Sequence, residues 1–155
     1  MGFIEYDIDM QTFLISPDYS ETSKILDYRR LGKQRVECWQ ILNILLTLKI
    51  HPNTKLAWMN HPAVLMWKGY EYQLCKYGIE ISKNWINRGY KDSMLPKFQS
   101  WLRRINYFDK EYPKWFKNEK FFSAHRAALL FKDKNYYKKF KWKEKAKLEY
   151  IWPIN

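Results

Sequence analysis

Residues 11–16, Gln-Thr-Phe-Leu-Ile-Ser, form an apolar run too short for a helix and read as an extended segment. Pro17-Asp18 follows, and Asp18 with Glu21 three positions on has the spacing of a capping box, which predicts a short helix. From Arg30 to Lys49, the residues Val36, Trp39, Leu42, Leu45 and Leu46 recur at helical spacing and predict an amphipathic helix with one buried stripe, bent at its start by Gly32. His51-Pro52-Asn53 ends that pattern. Asn60-His61-Pro62 opens a long helix, with Pro62 in its first turn and Gly89 at its stop. A shorter helix spans Leu95 to Ile105, Tyr107 to Asn118 is a connecting loop, and Asn118 caps a helix from Glu119 to Lys132. The expected fold class is therefore mainly α: a single compact helical domain over residues 10–155 with a short extended segment at its start.

Residues 1–9 differ from the rest, carrying Glu5, Asp7 and Asp9 and no cation, so they read as an acidic leader, with Met10 as an alternative start. The length of 155 residues suits one domain that buries a core without staples. Cys38 and Cys75 sit on expected helices without metal or redox spacing and read as buried thiols of a reducing compartment. The longest apolar run, around Ile41 to Leu48, is interrupted and too short to span a bilayer. The expectation is a cytoplasmic monomer that is not secreted and acts at the nucleoid or in an infected host cell, with no membrane partner.

Charge makes that picture functional. A formal net charge of +12 favours a polyanionic partner, because neutralised phosphates release condensed counterions. Aromatic residues make up 19% of the chain, more than a core of this size needs, so some are expected at the surface, where rings among cations suit stacking on bases. Residues 132–147 hold eight lysines against Asp133 and Glu144, interleaved with Tyr136, Tyr137, Phe140 and Trp142. They read either as a solvated face or as a phosphate contact.

Three clusters could carry chemistry. In Tyr28-Arg29-Arg30-Leu31-Gly32-Lys33-Gln34-Arg35-Val36-Glu37, four cations precede one carboxylate, and positions 30, 33 or 34, and 37 share a helix face. Either Arg30 or Lys33 forms an ordinary intrahelical ion pair with Glu37, or Glu37 is a working carboxylate in a cationic field. In His61 to Glu71, the residues Trp67, Tyr70 and Glu71 lie one turn apart with Lys68 adjacent, and Gly69 inside a helix implies close approach of a neighbouring helix or a ligand. In Ser123-Ala124-His125-Arg126, a Ser-His pair lacks a nucleophile elbow, so phosphate gripping by Ser123, His125 and Arg126 is the more economical reading. Three scattered histidines and two separated cysteines do not make a metal-ligand set, and no Gly-rich phosphate loop occurs, so neither metal nor cofactor is expected.

The segments LDYRRLGKQRVE, HPAVLMWKGYE, SAHRAALLFKDKNYY and the closing YIWP resemble small bacterial and phage proteins labelled pyrimidine dimer DNA glycosylase or endonuclease V. The resemblance implies a helical protein that kinks duplex DNA and flips a base. An N-terminal amine attacks the sugar C1′, a glutamate shortly after a Tyr-Arg pair stabilises the transition state, and β-elimination cleaves the strand. Tyr28-Arg29 resembles that pair, with Arg30 next and Glu37 the nearest carboxylate downstream; the attacking threonine has no terminal counterpart, since Thr12 is internal.

The expected function is a DNA glycosylase, with or without lyase activity, that excises a damaged or modified base from duplex DNA. Glu37 would be the catalytic carboxylate with Glu71 as its substitute, and Lys33 the internal amine of a lyase step, since neighbouring cations favour a lysine's neutral, nucleophilic form. Arg29, Arg30, Gln34, Arg35, His61, Lys68, Ser123, His125 and Arg126 would hold DNA, with Trp67 or Tyr70 wedging or stacking against the base. The alternatives are a non-catalytic DNA- or RNA-binding protein using the same surface, and an interaction protein whose basic face meets an acidic partner.

Overall fold

A computed structural model of the chain describes residues 10–153; the acidic leader expected over residues 1–9 lies outside them. Seven α-helices occur among the described residues: α1 (Tyr19–Ile25), α2 (Tyr28–Ile50), α3 (Pro62–Leu65), α4 (Glu71–Asn87), α5 (Leu95–Arg104), α6 (Glu119–Lys132) and α7 (Lys134–Tyr137). Two 3-10 turns, Lys114–Lys117 and Lys138–Phe140, complete the list, and no strand is present among these residues. The mainly α expectation holds.

Capping sets the helix starts. The Asp18 carboxylate accepts from the Ser20 and Glu21 N–H groups and opens α1; Asn118 accepts from the Lys120 N–H and opens α6. The helix α2 begins at Tyr28, earlier than its apolar periodicity suggests, because Asp27 caps it by accepting from the Arg30 N–H. Asp27 is itself fixed by Tyr137, whose hydroxyl donates to the carboxylate and accepts from the Asp27 N–H at 3.0 Å. Along α2 the residues Leu31, Cys38, Ile41, Leu42 and Leu45 form the buried stripe that packs on α4.

Two glycines depart from expectation. The helix expected from Pro62 to Gly89 is broken after four residues, and the chain turns through Gly69 at φ +89 before α4 begins. No atom lies within 4 Å of a Cβ built at Gly69, so close packing of a neighbouring helix does not explain it; the left-handed backbone does. Gly32 does not interrupt α2. A Cβ there would stand 2.8 Å from the Trp85 ring, so its role is to let α4 approach.

The segment Met10–Ile15 is buried throughout and belongs to no regular element. Its peptide groups bond to side chains instead of to a sheet. Gln34 on α2 donates from Nε2 to the Gln11 carbonyl at 2.8 Å and accepts from the Phe13 N–H at 2.6 Å. Tyr77 on α4 donates to the Phe13 carbonyl. His125 on α6 accepts the Leu14 N–H at Nδ1, 3.0 Å away, Thr22 on α1 accepts the Ile15 N–H at 3.0 Å, and Arg126 donates to the Ile15 carbonyl at 2.7 Å. Buried backbone must find partners, and here four helices supply them.

Candidate functional site

The Gln11 N–H is the first of these clamped groups, and its acceptor is Glu37 Oε2 at 2.7 Å. Glu37 lies one turn beyond Gln34 on the inward face of α2 and is 4% exposed. The carboxylate therefore sits at the buried head of the N-terminal segment.

Beside Gln11 a pocket of about 660 Å³ opens to solvent, walled by Trp58, Met59, His61, Tyr150 and Trp152. The His61 ring stands edge-on to Trp58 and to Trp152, at centroid distances of 5.8 and 6.0 Å, and its Nδ1 accepts the Ala63 N–H at 3.0 Å, capping α3. Trp58 has φ +68, a conformation uncommon for a bulky residue and found where surrounding structure over-determines the backbone. Burial pushes the Tyr150 phenol up to about 12; nearby Arg30 pulls it down and the Glu37 carboxylate pushes it up. Tyr150 is thus a protonated neighbour of Glu37 at neutral pH.

The structure separates the residues singled out from the sequence. Of the first cluster, Arg29 and Lys33 point to solvent, Arg30 pairs with Asp27 at 3.1 Å, and Arg35 pairs with Asp92 at 2.7 Å under the Trp85 ring. Gln34, expected on DNA, is sealed in the core, its amide engaged at both ends by the N-terminal segment. Trp67, expected to stack on a base, is fully buried, with Nε1 donating to Thr12 Oγ1 at 3.1 Å; no base can reach it. Tyr70 is half-buried and accepts the Lys114 N–H at 3.4 Å, while Lys68 is exposed.

Glu71 sits apart from Glu37. It is buried on the Gly69 N–H, 2.5 Å away, and pairs with Lys49 at 3.2 Å. Lys49 lies twelve positions after Glu37 on α2, about 18 Å along the axis at ~1.5 Å per residue, so the two carboxylates serve different places. The third cluster is internal as well. His125 is fully buried and burial lowers its pKa to about 3, which keeps it neutral and unsuited to a phosphate. Ser123 donates to Glu144 at 2.7 Å, and Arg126 is shared among Glu144, Glu119 and the Ile15 carbonyl. The phosphate-gripping reading of Ser123, His125 and Arg126 gives way to one in which they pin chain segments.

The pocket walls Trp58, Tyr150 and Trp152 were not singled out as site residues. Only the last two carried any signal, within the closing YIWP segment.

A family model described as "Pyrimidine dimer DNA glycosylase" matches residues 10–97, more than half of the chain, and so takes in the N-terminal segment, Gln34 and Glu37. The chain belongs to the pyrimidine dimer DNA glycosylase family. The matched stretch begins at the clamped segment and ends within α5, so α6 and the aromatic C-terminal segment lie beyond it. No curated protein and no solved structure matches the chain significantly. No group of three or more potential metal ligands occurs among the described residues, and no helix among them is long and apolar enough to cross a membrane.

Proposed function

We propose that this chain is a DNA glycosylase that removes a damaged or modified base from duplex DNA, with Glu37 as its working carboxylate. One observation carries the reading: in a family named for base excision, a carboxylate is held in the buried core, on a backbone N–H, beside a solvent-open aromatic pocket.

In the proposed reaction the C1′–N bond breaks and its electron pair leaves with the base, which takes up a proton. Glu37 stabilises the cationic sugar and accepts a proton from the water that adds to C1′. A subsequent lyase step would use an amine: Lys33, one turn before Glu37, condenses with the C1′ aldehyde with loss of water, and elimination then breaks the C3′–O bond. A second reading of that step rests on the 2.7 Å contact between the Gln11 nitrogen and Glu37. In a chain beginning at Met10, the α-amine would lie one residue from this contact. The substrate would be host DNA at the nucleoid, or DNA in an infected cell, with the protein acting as a monomer.

Single-turnover base release from ultraviolet-damaged and hypermodified duplexes tests the proposal. Glu37→Gln is expected to slow release by at least about 100-fold, with DNA affinity unchanged. Full excision by this variant would refute the role of Glu37, and binding without base release by the wild type would leave a non-catalytic DNA binder. Borohydride trapping of chains started at Met1 and at Met10, followed by peptide mapping, assigns the amine. An adduct on Lys33 in both supports the internal amine, an adduct at the α-amine of the shorter chain supports the second reading, and no adduct in either refutes the lyase step.

A further inference from the structure

We infer that a groove running from the pocket beside Gln11 to the end of α5 binds a short unpaired DNA strand, so that the preferred substrate carries single-stranded DNA beside the base to be removed. The inference rests on the base-excision reading and adds to it the form of the DNA.

The groove is a series of clefts that share walls. Met59 and Asn60, at the edge of the pocket beside Gln11, also line a second cleft of about 350 Å³. Lys49, Gly69 and Glu71 continue from that cleft into a third, of about 610 Å³, bounded by Trp101 and Arg104 of α5 and by Tyr107 and Phe108. The turn at Gly69 leaves room in the passage, because no atom lies within 4 Å of the place a Cβ would take.

A single strand is held by cations along a groove and by rings on which its bases stack, whereas the base faces within a duplex are already covered by their neighbours. The third cleft offers both. Tyr107 is 84% exposed, with its ring edge-on to Phe108 at 4.9 Å. Trp101 is half-buried under the Arg104 guanidinium, 5.0 Å from the ring centroid, and Lys49 Nζ stands 4.8 Å from that of Phe108. The balance of charge suits a phosphate chain. Glu71 is neutralised by Lys49 at 3.2 Å, which leaves Asp109 as the carboxylate in these walls that faces Arg104 and Lys68. Neither of those two cations forms an ion pair among the described residues, and both are exposed.

Fluorescence anisotropy on undamaged DNA tests the assignment by comparing a fully paired duplex with one that ends in an unpaired flank of about eight nucleotides, within the site sizes such grooves cover. The wild type is expected to bind the flanked duplex at least about tenfold more tightly, the contribution of one or two stacked bases. Tyr107→Ala should weaken binding to the flanked duplex by about fivefold to a hundredfold, the loss of one stack, with the thermal midpoint unchanged because the ring is exposed. Arg104→Ala should lower the slope of log affinity against log salt by about 0.7 on the flanked duplex. Equal affinity for the two duplexes, or wild-type preference for the flank in both variants, would overturn the assignment, and tighter binding of an RNA flank than of a DNA flank would overturn the choice of DNA. These measurements need no base release. A wild type that prefers the flank but excises no base from any damaged or modified duplex would therefore overturn the excision reading alone.

Discussion

His125 sits in the core with Nδ1 committed to the Leu14 N–H and Nε2 without a partner. Its sequence surroundings, between Ala124 and Arg126, suggest a surface phosphate contact; its burial makes it a structural acceptor. The consequence is a pH dependence of stability. Burial lowers the folded-state pKa to about 3 from 6.5, so between these values the unfolded chain binds the proton and the native chain does not. Stability from this group is complete above pH 6.5 and is lost as pH falls toward 3, at up to about 1.4 kcal/mol per pH unit. Urea unfolding of the wild type and of His125→Gln across pH 7 to 4 checks it: the variant is expected to be less stable at pH 7 and to show a shallower decline. Equal slopes would mean that His125 is not held neutral. Glu37 has the opposite legibility. It stands out in the sequence as one carboxylate after four cations, and the structure places it in the interior on the Gln11 N–H, while its neighbours Gln34 and Arg35 bond to the N-terminal segment and to Asp92.

At the scale of elements, the central contact is α4 lying between α2 and α5, and it depends on two small residues. A Cβ at Gly78 would stand 2.5 Å from the Phe98 ring, which is fully buried and has nowhere to move. Gly78→Ala is therefore expected to destabilise the protein by about 1–3 kcal/mol through overpacking, despite the better helix propensity of alanine, as chemical denaturation will measure. A stability equal to or above the wild type would show that α4 and α5 can separate at no cost. Helix starts and stops at Asp18, Asn118 and Gly89 are readable in the sequence because caps are local chemistry. The break at Gly69 is not, since Pro62, Trp67, Tyr70 and Glu71 keep helical spacing across it. What decides it is the positive φ at Gly69, supported by the Glu71 carboxylate folding back onto the Gly69 N–H.

For the whole molecule, the net charge of +12 is divided between two uses. Arg30, Arg35, Lys49 and Arg126 pair with buried or half-buried carboxylates and hold the fold. Lys68 is exposed and forms no ion pair among the described residues. If its charge serves DNA, Lys68→Ala should weaken binding equally for all sequences and reduce the slope of log affinity against log salt by about 1, with thermal stability unchanged. Fluorescence anisotropy between low and physiological salt measures this, and an unaltered slope would remove Lys68 from the interface. Composition, capping and apolar periodicity, all local or summed quantities, were enough to establish from sequence alone a mainly helical, strongly basic chain and to single out Glu37. Only the tertiary structure decided which polar residues face inward. The extended segment Met10–Ile15 has no sheet to join, so its backbone groups draw Gln34, Tyr77, His125 and Arg126 from three helices into the interior. Long-range pairing of that kind leaves no period or spacing in the sequence, and the same holds for the aromatic pocket, whose walls come from residues some 90 positions apart.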